Sequence, residues 1–491
     1  MALPLTPIWL IALPLLLAFL APLWARLRLL MPLLLGVHAV LLALAISFLP
    51  VVRDAPLLET IVIAPPLGIH LHLDAAALIL VTLFHLAGLL VASFLWLGQT
   101  EAHLRGPRAF VLLLLLIVGC DGMVLTGDLF NLYVFLEIAG VSAYALSALR
   151  QDRLGLEAGL KYVIIGAVAA VFFLFAVVLI YLQTGQLNIA AVALDFATIP
   201  AQLQVLIGLL MLVGLGIKAE LFPLNFWVPD IYQGSDPVAT SLFSGVVVKA
   251  FLFVLFHLVF VLLADPGVAL GWLMGIGAVT MLVAETVALR QQDLRRMLAY
   301  SSLGQVGLIT LALGFASEAT TSGALFHIVN HTLGKLLLFL LAALMIRRAA
   351  SAQLGALTGL GRSMPLAAGL FVLGALSVLG LPPLAGFMSK LWIMKGFAEA
   401  QVFWPILLIL LGTLLEAGYY FRWTKALFAA EGPAVAGPSP GRGDFLPMLA
   451  IAGLLVLLGV APFLIEEGLV AGAQALLDRA ATLSSVLGAN P

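Results

Sequence analysis

Long runs of apolar residues follow one another along almost the whole chain. A run of roughly 18 residues or more is long enough to cross the hydrocarbon core of a bilayer as a helix. Within the hydrocarbon core, a helix satisfies all its backbone hydrogen bonds inside one segment. These runs are also too long for the strands of a membrane barrel. The pattern therefore predicts an all-α polytopic membrane protein with about fourteen transmembrane helices, which cover residues 4–24, 29–50, 74–97, 108–126, 129–149, 159–182, 203–222, 238–262, 267–289, 302–316, 320–346, 364–395, 402–421 and 444–464.

The composition excludes a water-soluble globular protein. Of the 491 residues, 63% are hydrophobic and 10% are charged, whereas about 25% of the residues of a soluble domain are charged. The net charge of −1 gives no attraction to nucleic acid, and the single cysteine, Cys120, excludes an intramolecular disulfide. Basic residues follow the first apolar run instead of preceding it, so we expect residues 4–24 to be a retained span and not a cleavable signal peptide.

The distribution of basic residues supports this number of spans. When the loops are assigned alternately to two sides, sixteen of the 23 lysines and arginines fall on the same side. The positive-inside rule makes that side cytoplasmic, so both termini are expected outside the cytoplasm. The sixteen residues are Arg26, Arg28, Arg105, Arg108, Arg150, Arg153, Lys161, Arg290, Arg295, Arg296, Arg347, Arg348, Arg362, Arg422, Lys425 and Arg442.

Four lysines, a glutamate and two histidines remain inside the spans. They are Lys218, Lys249, Lys335, Lys390, Glu137, His327 and His331. A charge at the centre of a bilayer costs at least about 2.5–3.5 kcal/mol, and Glu137 and Lys249 lie too deep in their spans to reach water. Burial favours the neutral forms of lysine and glutamate, so that both can exchange protons near neutral pH. The set therefore predicts a proton relay, with buried ion pairs that hold helices together as the alternative.

Prolines interrupt two of the spans that contain these lysines. Pro223 follows Lys218, whereas Pro382 and Pro383 precede Lys390. A proline inside a helix removes a hydrogen bond and clashes with the preceding turn. Breaks beside a lysine in helices 7 and 12 are typical of inverted repeats with discontinuous helices. We therefore expect helices 1–3 in residues 1–107, one repeat in 108–262 (helices 4–8), a second in 267–425 (helices 9–13), a cytoplasmic linker in 426–443, and helix 14 with a C-terminal surface segment in 444–491.

The two histidines share one helical face with a lysine. His327, His331 and Lys335 are spaced i, i+4 and i+8. The span at 320–346 contains no glutamate or cysteine that could complete a metal site, and a lysine one turn away opposes a cation. We therefore expect no metal and no other cofactor, and a histidine chain that passes protons. No phosphate-binding loop and no nucleophile–base set is present either, so we expect a transporter subunit without a catalytic site of its own.

Other titratable residues are expected at the edges of the membrane. Glu285 and Glu416 lie within or at the edge of their spans, and Asp121 lies near the outer end of another. We expect all three to be solvated. His70 and His72 precede the third span and are expected at the outer surface.

At the positions of the buried charges, the sequence resembles a known family. This family comprises the antiporter-like membrane subunits shared by Mrp-type multisubunit Na⁺/H⁺ antiporters, respiratory complex I and membrane-bound hydrogenases. The resemblance runs from about residue 110 to 395 and rests on FLEIAGVSAYAL, LEAGLKYVIIGA, GIKAELFPLNFWVPDIYQGSDPVAT, RRMLAYSSLGQVG, HIVNHTLGKLLLF and GLPPLAGFMSK. It implies fourteen core helices with inverted repeats and a central hydrophilic axis. Size and layout are most similar to the MrpD type within the Mrp antiporters.

The resemblance also implies a role for each buried residue. It makes Glu137 the helix-five glutamate, Lys218 its partner on helix seven, and Lys249 the lysine of helix eight. It also makes His331 a bridging histidine, with His327 and Lys335 beside it, and Lys390 the lysine of helix twelve. Protons would pass along Lys218, Lys249 and His331 and leave near Lys390, and the Glu137–Lys218 pair would act as a switch.

The leading hypothesis is a proton-translocating subunit of a multisubunit Mrp-type cation/proton antiporter in the bacterial cytoplasmic membrane. Its expected partners are other membrane subunits and the lipid bilayer, and the expected transported ions are protons and Na⁺. The first alternative is a proton-pumping subunit of a complex I-like or membrane-bound hydrogenase assembly. A scaffold subunit without conduction and a standalone secondary transporter are two further alternatives.

Overall fold

The computed structural model describes residues 6–25, 29–53, 55–98, 101–433 and 437–488. Helices dominate these described residues, which also contain one hairpin of strands β1 (Leu57–Thr60) and β2 (His70–Leu73). The first helices are α1 (Trp9–Phe19), α2 (Ala21–Ala25), α3 (Leu30–Ser47), α4 (Leu49–Val52), α5 (Ala75–Leu97), α6 (Pro107–Leu125), α7 (Leu129–Ser147), α8 (Arg153–Thr184), α9 (Ile189–Asp195), α10 (Ala201–Lys218), α11 (Val228–Gly234), α12 (Pro237–Leu242) and α13 (Val248–Leu262). The remaining helices are α14 (Gly267–Ala288), α15 (Leu294–Phe315), α16 (Glu318–Ala349), α17 (Leu354–Leu357), α18 (Pro365–Leu379), α19 (Ala385–Glu399), α20 (Trp404–Leu427), α21 (Arg442–Val460), α22 (Phe463–Leu477) and α23 (Arg479–Leu487).

Twelve helices in the described residues are long and apolar enough to cross a membrane, or thirteen if the bent pair Leu354–Arg362 and Pro365–Leu379 is one span. The predicted class of polytopic α-helical membrane protein is confirmed, but the predicted number of about fourteen spans is not. Two predicted spans account for the difference. The described part of residues 4–24 contains a helix of only 11 residues followed by a shorter one, and residues 364–395 contain two helices of 15 residues each.

Both helices that the sequence predicts to be broken are interrupted beside a lysine. Helix α10 ends at Lys218, and the next helix begins only at Val228. Helix α18 ends at Leu379, and Gly380 follows with a φ of +82°, a backbone conformation that favours glycine. A Cβ at Gly380 would also contact the aliphatic chain of Lys390. The breaks in helices 7 and 12 are therefore confirmed, whereas the division of the chain into two inverted repeats stays a prediction.

The centre of the bundle is formed by helices that are buried on nearly all sides, namely α12, α13, α15 and α16. A π-helical turn, Phe243–Val247, joins α12 to α13 directly before Lys249. Helix α16 is 32 residues long and keeps its polar side chains inside the bundle along most of its length. These polar groups must find partners within the protein, because buried polar groups without hydrogen bonds are rare.

The basic loops meet on one side of the bundle, as predicted. Side chains from five of these loops surround a cavity of about 360 Å³, which is lined among others by Glu101, His103, Arg150, Asp152, Asp236, Arg295 and Arg347. Arg296 pairs with Asp230 at 2.6 Å on the same side. We call this the basic side. Arg26 and Arg28 lie outside the described residues, and the assignment of the basic side to the cytoplasm stays a prediction.

The opposite side contains the hairpin, which the sequence patterns did not predict, and the C-terminal helices. Strands β1 and β2 pair antiparallel, with Leu57 opposite Leu73 and Thr60 opposite His70. Helices α22 and α23 occupy the predicted surface segment, and Arg479 donates a hydrogen bond of 2.8 Å to the carbonyl oxygen of Val261 at the end of α13. The C-terminal segment is therefore attached to the helix that contains Lys249.

Candidate functional site

Six of the seven residues that the sequence singles out are buried inside the bundle. The exposed fraction is 4% for Lys218, 5% for Lys390, and 0% for Lys249, His327, His331 and Lys335. Glu137 is half-buried. A buried charge or polar group is costly unless it is hydrogen-bonded, so the partners of these side chains determine what each can do.

Lys249 and His331 form a contact at the centre of the bundle. Lys249 Nζ lies 2.5 Å from His331 Nδ1 and donates a second hydrogen bond, of 2.8 Å, to the carbonyl oxygen of Ser244. Ser244 lies in the π-helical turn, where the usual backbone bonding pattern is interrupted. Because His331 belongs to α16, this contact joins the two halves of the predicted inverted repeat. A single proton can be shared between the two nitrogens.

Lys218 bonds to a tyrosine and not to the glutamate with which the resemblance pairs it. Its ammonium group donates to the hydroxyl of Tyr144, which lies on α7 together with Glu137. Within the described residues, Glu137 Oε1 has no hydrogen-bond partner. Gly140 lies between these two α7 residues, and its missing side chain leaves room for Tyr144 Oη and Lys218 Nζ to meet. The direct Glu137–Lys218 contact is thus replaced by a Lys218–Tyr144 hydrogen bond, which no sequence motif indicated.

Lys335 connects α16 to two other helices. It donates hydrogen bonds of 2.7 Å to Ser301 Oγ and 3.3 Å to the carbonyl oxygen of Leu298, both on α15. Ser301 Oγ in turn lies 3.0 Å from Tyr420 Oη on α20. The i, i+4 spacing therefore places Lys335 beside His331, but its hydrogen bonds connect it to α15 and, through Ser301, to α20.

His327 is linked to two carboxylates through a glutamine. Its Nε2 lies 2.9 Å from Gln305 Oε1, and its Nδ1 lies 2.9 Å from Ser389 Oγ. The amide nitrogen of Gln305 donates to Glu416 at 3.2 Å and to Glu285 at 3.3 Å. Gln305 thus connects the histidine face of α16 to acidic residues on α14 and α20.

Lys390 forms a buried ion pair. Its Nζ lies 3.1 Å from Glu416 Oε2 and 3.1 Å from the carbonyl oxygen of Leu379, which the break after α18 leaves without a helical partner. The exposed fraction is 0% for Glu416 and 1% for Glu285. The expectation that these two glutamates are solvated is therefore wrong. Their partners come from other helices, so position within the span could not reveal the pairing.

Glu220 is a further buried carboxylate that the sequence patterns left without a role. It is 3% exposed, and it accepts a hydrogen bond of 2.8 Å from Tyr232 Oη. It lies within electrostatic range of Lys249 and Lys335. One feature of the sequence could have indicated a role for Glu220, namely its position in the break after Lys218. The backbone leaves the helix there and can turn a side chain towards the centre of the bundle.

These buried polar side chains follow one another as a row across the middle of the bundle, with direct contacts at Lys249–His331 and from His327 through Gln305 and Glu416 to Lys390. We call it the polar row, and it comprises Lys218, Glu220, Lys249, His331, His327, Gln305, Glu416 and Lys390. Six of the seven predicted residues belong to the row or, as Lys335 does, lie directly beside it. Glu137 lies outside the row, in a groove that Tyr144 also lines.

A separate buried cluster lies away from the polar row, in α3, α5 and α6. His85 Nε2 lies 3.3 Å from Asp121 Oδ2, and His85 Nδ1 lies 3.4 Å from His38 Nδ1. Asp121 is 0% exposed, so the expectation that it is solvated is wrong. His70 and His72 are likewise buried, at 1% and 8%, and are not surface residues. In both cases the burial comes from contacts between distant segments.

The described residues contain no group of three or more His, Cys, Asp or Glu side chains arranged to hold a metal ion. His327 and His331 instead face different partners, a glutamine with a serine for the first and a lysine for the second. Both rings therefore have polar partners suited to proton transfer, since a neutral imidazole can accept a proton on one nitrogen and donate one from the other.

Comparison with known proteins agrees with this geometry. Residues 126–416 match the family model described as "NADH:quinone oxidoreductase/Mrp antiporter, TM". The chain is 37% identical to the N subunit of the NADH-quinone oxidoreductase of Desulforudis audaxviator over 412 residues, which are 80% of this chain and 81% of that one. It is 31% identical to the D subunit of the Na(+)/H(+) antiporter of Alkalihalophilus pseudofirmus over 436 residues, 86% of each chain.

A solved structure of similar fold is a chain of the Mrp complex from Dietzia sp. DQ12-45-1b. The TM-score is 0.91 at 25% identity, and the match covers 99% of this chain and 100% of that chain. The matched region of the family model contains every residue of the polar row. The chain therefore belongs to the NADH:quinone oxidoreductase/Mrp antiporter membrane-subunit family.

Proposed function

We propose that this chain moves protons along the polar row as one subunit of a multisubunit membrane complex. The observation that supports this function best is the Lys249–His331 contact, which links two buried bases on different helices at 2.5 Å. A purely structural network favours balanced, permanently paired charges. Two adjacent bases instead favour a single shared proton, because two positive charges at this distance would repel each other. Electrostatic interactions are strong in a low-dielectric interior, so the charge on one base controls the protonation of the next.

The central transfer step in this proposal needs only the two bases. A charged Lys249 donates a proton from Nζ to the bare Nδ1 of His331, and the histidine then releases a proton from Nε2. Within the described residues His331 Nε2 is buried and has no hydrogen-bond partner, so in this proposal a water molecule accepts the proton and carries it to the next member of the row. Lys249 left neutral keeps its bond to the Ser244 carbonyl and accepts the next proton.

The proposed switch lies at the other end of the row. Tyr144 holds Lys218 away from Glu137, so the present arrangement corresponds to an open switch. If the hydroxyl turns aside, the ammonium group can approach the free Oε1 of Glu137, and the charge on Lys218 is stabilised. Opening returns Lys218 to the tyrosine, which is neutral, and favours release of its proton towards Glu220 and Lys249.

The switch can be tested by adding one methyl group. A Cβ at Gly140 would lie 2.7 Å from Tyr144 Oη and 3.1 Å from Lys218 Nζ. We expect Gly140→Ala to displace both groups and to slow proton transport by the complex about tenfold, the equivalent of about 1.4 kcal/mol in the barrier. Gly275→Ala is the matched control, because a Cβ there meets nothing within 4 Å. Equal rates for the two variants would contradict the proposed switch.

For the assembly, we propose a subunit of an Mrp-type monovalent cation/proton antiporter, with Na⁺ as the second ion. The support is the 86% coverage of both chains in the match to the D subunit of an Na(+)/H(+) antiporter, and the nearly complete match to a chain of an Mrp complex. The second candidate is a proton-pumping subunit of a complex I-like assembly. The higher identity, 37%, to the N subunit of an NADH-quinone oxidoreductase favours that candidate.

The composition of the native complex distinguishes these candidates. We expect purification through a tag on this chain to yield small membrane subunits and no iron–sulfur protein, and the reconstituted complex to dissipate a pH gradient when Na⁺ is added. Iron–sulfur subunits in the purified complex, with proton movement that requires an electron donor and not Na⁺, would establish the complex I-like function instead. A purified single chain that transports ions would contradict both.

A further inference from the structure

A small cavity on the side opposite the basic side is lined by three histidines and an aspartate. His70 and His72 of β2, Asp74 before α5, and Phe253 and His257 of α13 contribute to its wall. Its volume is about 20 Å³, and roughly 10–15 Å³ on this measure is enough for one water molecule. The cavity therefore has room for a water molecule among four groups that can bind a proton.

Two imidazole nitrogens at this cavity lack a partner. Within the described residues, His70 Nε2 and His72 Nε2 are buried and form no hydrogen bond. His70 Nδ1 lies 3.3 Å from the amide nitrogen of Asn188. Because an amide nitrogen only donates, His70 Nδ1 accepts, and the hydrogen of the neutral ring is on Nε2. A water molecule in the cavity would supply the missing acceptor for this hydrogen.

The histidines of the hairpin are held in their neutral forms. Burial, followed by the neighbouring His72, lowers the pKa of His70 to about 4. Burial also lowers the pKa of His72, against the opposing effect of Asp74. Both rings are therefore neutral at neutral pH, and a neutral imidazole can take up a proton on one nitrogen while it releases one from the other.

Phe253 separates this cavity from Lys249. Lys249, Phe253 and His257 follow at intervals of four residues on α13, so they share one face, about 6 Å apart along the helix axis. The rings of Phe253 and His257 are stacked, with their centroids 5.5 Å apart and their planes at 11°. Phe253 is 5% exposed. Its hydrocarbon ring offers no site for a proton and interrupts any hydrogen-bonded chain between the cavity and the lysine.

We propose that this cavity is a proton-exchange site between Lys249 and the side opposite the basic side, and that Phe253 is its gate. The proposal rests on the proposed function, since Lys249 must exchange protons. When Phe253 turns aside, water joins the cavity to Lys249 Nζ. A proton then adds to one nitrogen of an imidazole, another leaves its second nitrogen, and water delivers a proton to the lone pair of neutral Lys249. Only protons change position in this step.

The surroundings of the cavity provide a second closure, towards the solvent. Helix α23 covers it with Thr482 and Val486, and Arg479 fixes the start of that helix to α13 and to the carbonyl oxygen of Ala193 beside it. The titratable groups that line the cavity with His257 are His70, His72 and Asp74, and the charged Arg479 lies at the start of α23, which covers the cavity. The cavity is thus closed by α23 on one side and by Phe253 on the other.

The gate is tested by removing the ring in the complete complex. We expect Phe253→Ala, reconstituted in proteoliposomes without a counter-ion, to raise passive proton leakage about tenfold or more. Leu255→Ala is the matched control, because Leu255 is equally buried, at 3%, and points to the opposite face of α13. We also expect the double variant Phe253→Ala/Lys249→Met to leak no more than the wild-type complex, because its leak must pass through the lysine.

A second variant keeps the proposal testable if Phe253→Ala fails to assemble. His257→Leu conserves volume, and we expect it to slow transport several-fold, with a changed dependence on the pH of the side opposite the basic side only. Leakage that persists in the double variant, no leakage in Phe253→Ala, or an unchanged rate and pH dependence in His257→Leu would each overturn the proposal. Full transport by Lys249→Met alone would instead contradict the proposed function.

Discussion

Replacing Lys249 with methionine is expected to lower proton flux through the assembled complex to about one per cent of the wild-type flux or less, which corresponds to about 2.7 kcal/mol or more in the barrier. Methionine has a similar length and fits an apolar environment, but it cannot hold a proton. Lys249 is fully buried, and its Nζ is the group that contacts His331. Without it, the polar row is divided into two parts that cannot exchange protons.

The same substitution in an exposed lysine serves as the control. Lys395 is 66% exposed in its side chain and pairs with Glu399 at 3.6 Å. Such surface pairs contribute little, so Lys395→Met is expected to leave flux and assembly unchanged. Flux is measured as quenching of a pH-sensitive dye in proteoliposomes, and assembly by size-exclusion chromatography of the purified complex. Flux above half of the wild-type value in an intact Lys249→Met complex would exclude Lys249 from the path.

The Lys390–Glu416 ion pair is expected to stabilise the fold and to conduct, and a double-mutant cycle separates the two roles. Lys390→Met leaves Glu416 without its cation, and Glu416→Gln leaves Lys390 without its anion. Breaking a buried pair in this way typically costs about 3–5 kcal/mol, whereas replacing both partners by neutral groups is often tolerated. We therefore expect each single variant to lower the unfolding temperature of the purified complex and the double variant to recover most of it.

Proton flux should not follow the same pattern as stability. The double variant lacks both titratable members of the Lys390–Glu416 pair, so we expect it to assemble and to remain inactive. If the two losses of stability simply add, the residues do not interact energetically, and the observed distance of 3.1 Å has no stabilising effect. If the double variant regains flux, protons do not pass this pair.

The sequence identified five of the eight members of the polar row, and it identified the lysines among them for a physical reason. A charge within an apolar run is costly in a membrane, so Lys218, Lys249, Lys335 and Lys390 stand out without any knowledge of the fold. The proline breaks beside two of them are also local features. Their positions could therefore be predicted, as could those of Glu137 and the two histidines inside their spans, and the family resemblance then implied a role for each.

The partners of these residues could not be predicted in the same way. The sequence places Glu285, Glu416 and Asp121 near the membrane edge, because it shows only how far a residue lies from the end of its own helix and not which other helices surround it. Their burial arises where several helices meet, and their partners are distant in sequence. The same holds for Tyr144, which becomes relevant only because Gly140 lets Lys218 approach it.

The number of spans and the hairpin show a further limit. Hydropathy reports how long an apolar run is, but it does not show whether the helix inside it is continuous. The prolines predicted the interruption of residues 364–395, but hydropathy did not show that the two helices beside it are only 15 residues each. The strands of the hairpin are only four residues each and were too short to form a recognisable pattern.

The most direct test of the central claim is the proton flux of the reconstituted complex with His331→Gln. Glutamine keeps a hydrogen-bond acceptor for Lys249, so the contact and the assembly are expected to survive, but its amide cannot take up a proton near neutral pH. If protons follow the polar row, flux driven by an imposed pH gradient falls about 100-fold in either direction, as expected for a lost transfer step. Wild-type flux in both directions would contradict a proton path through His331.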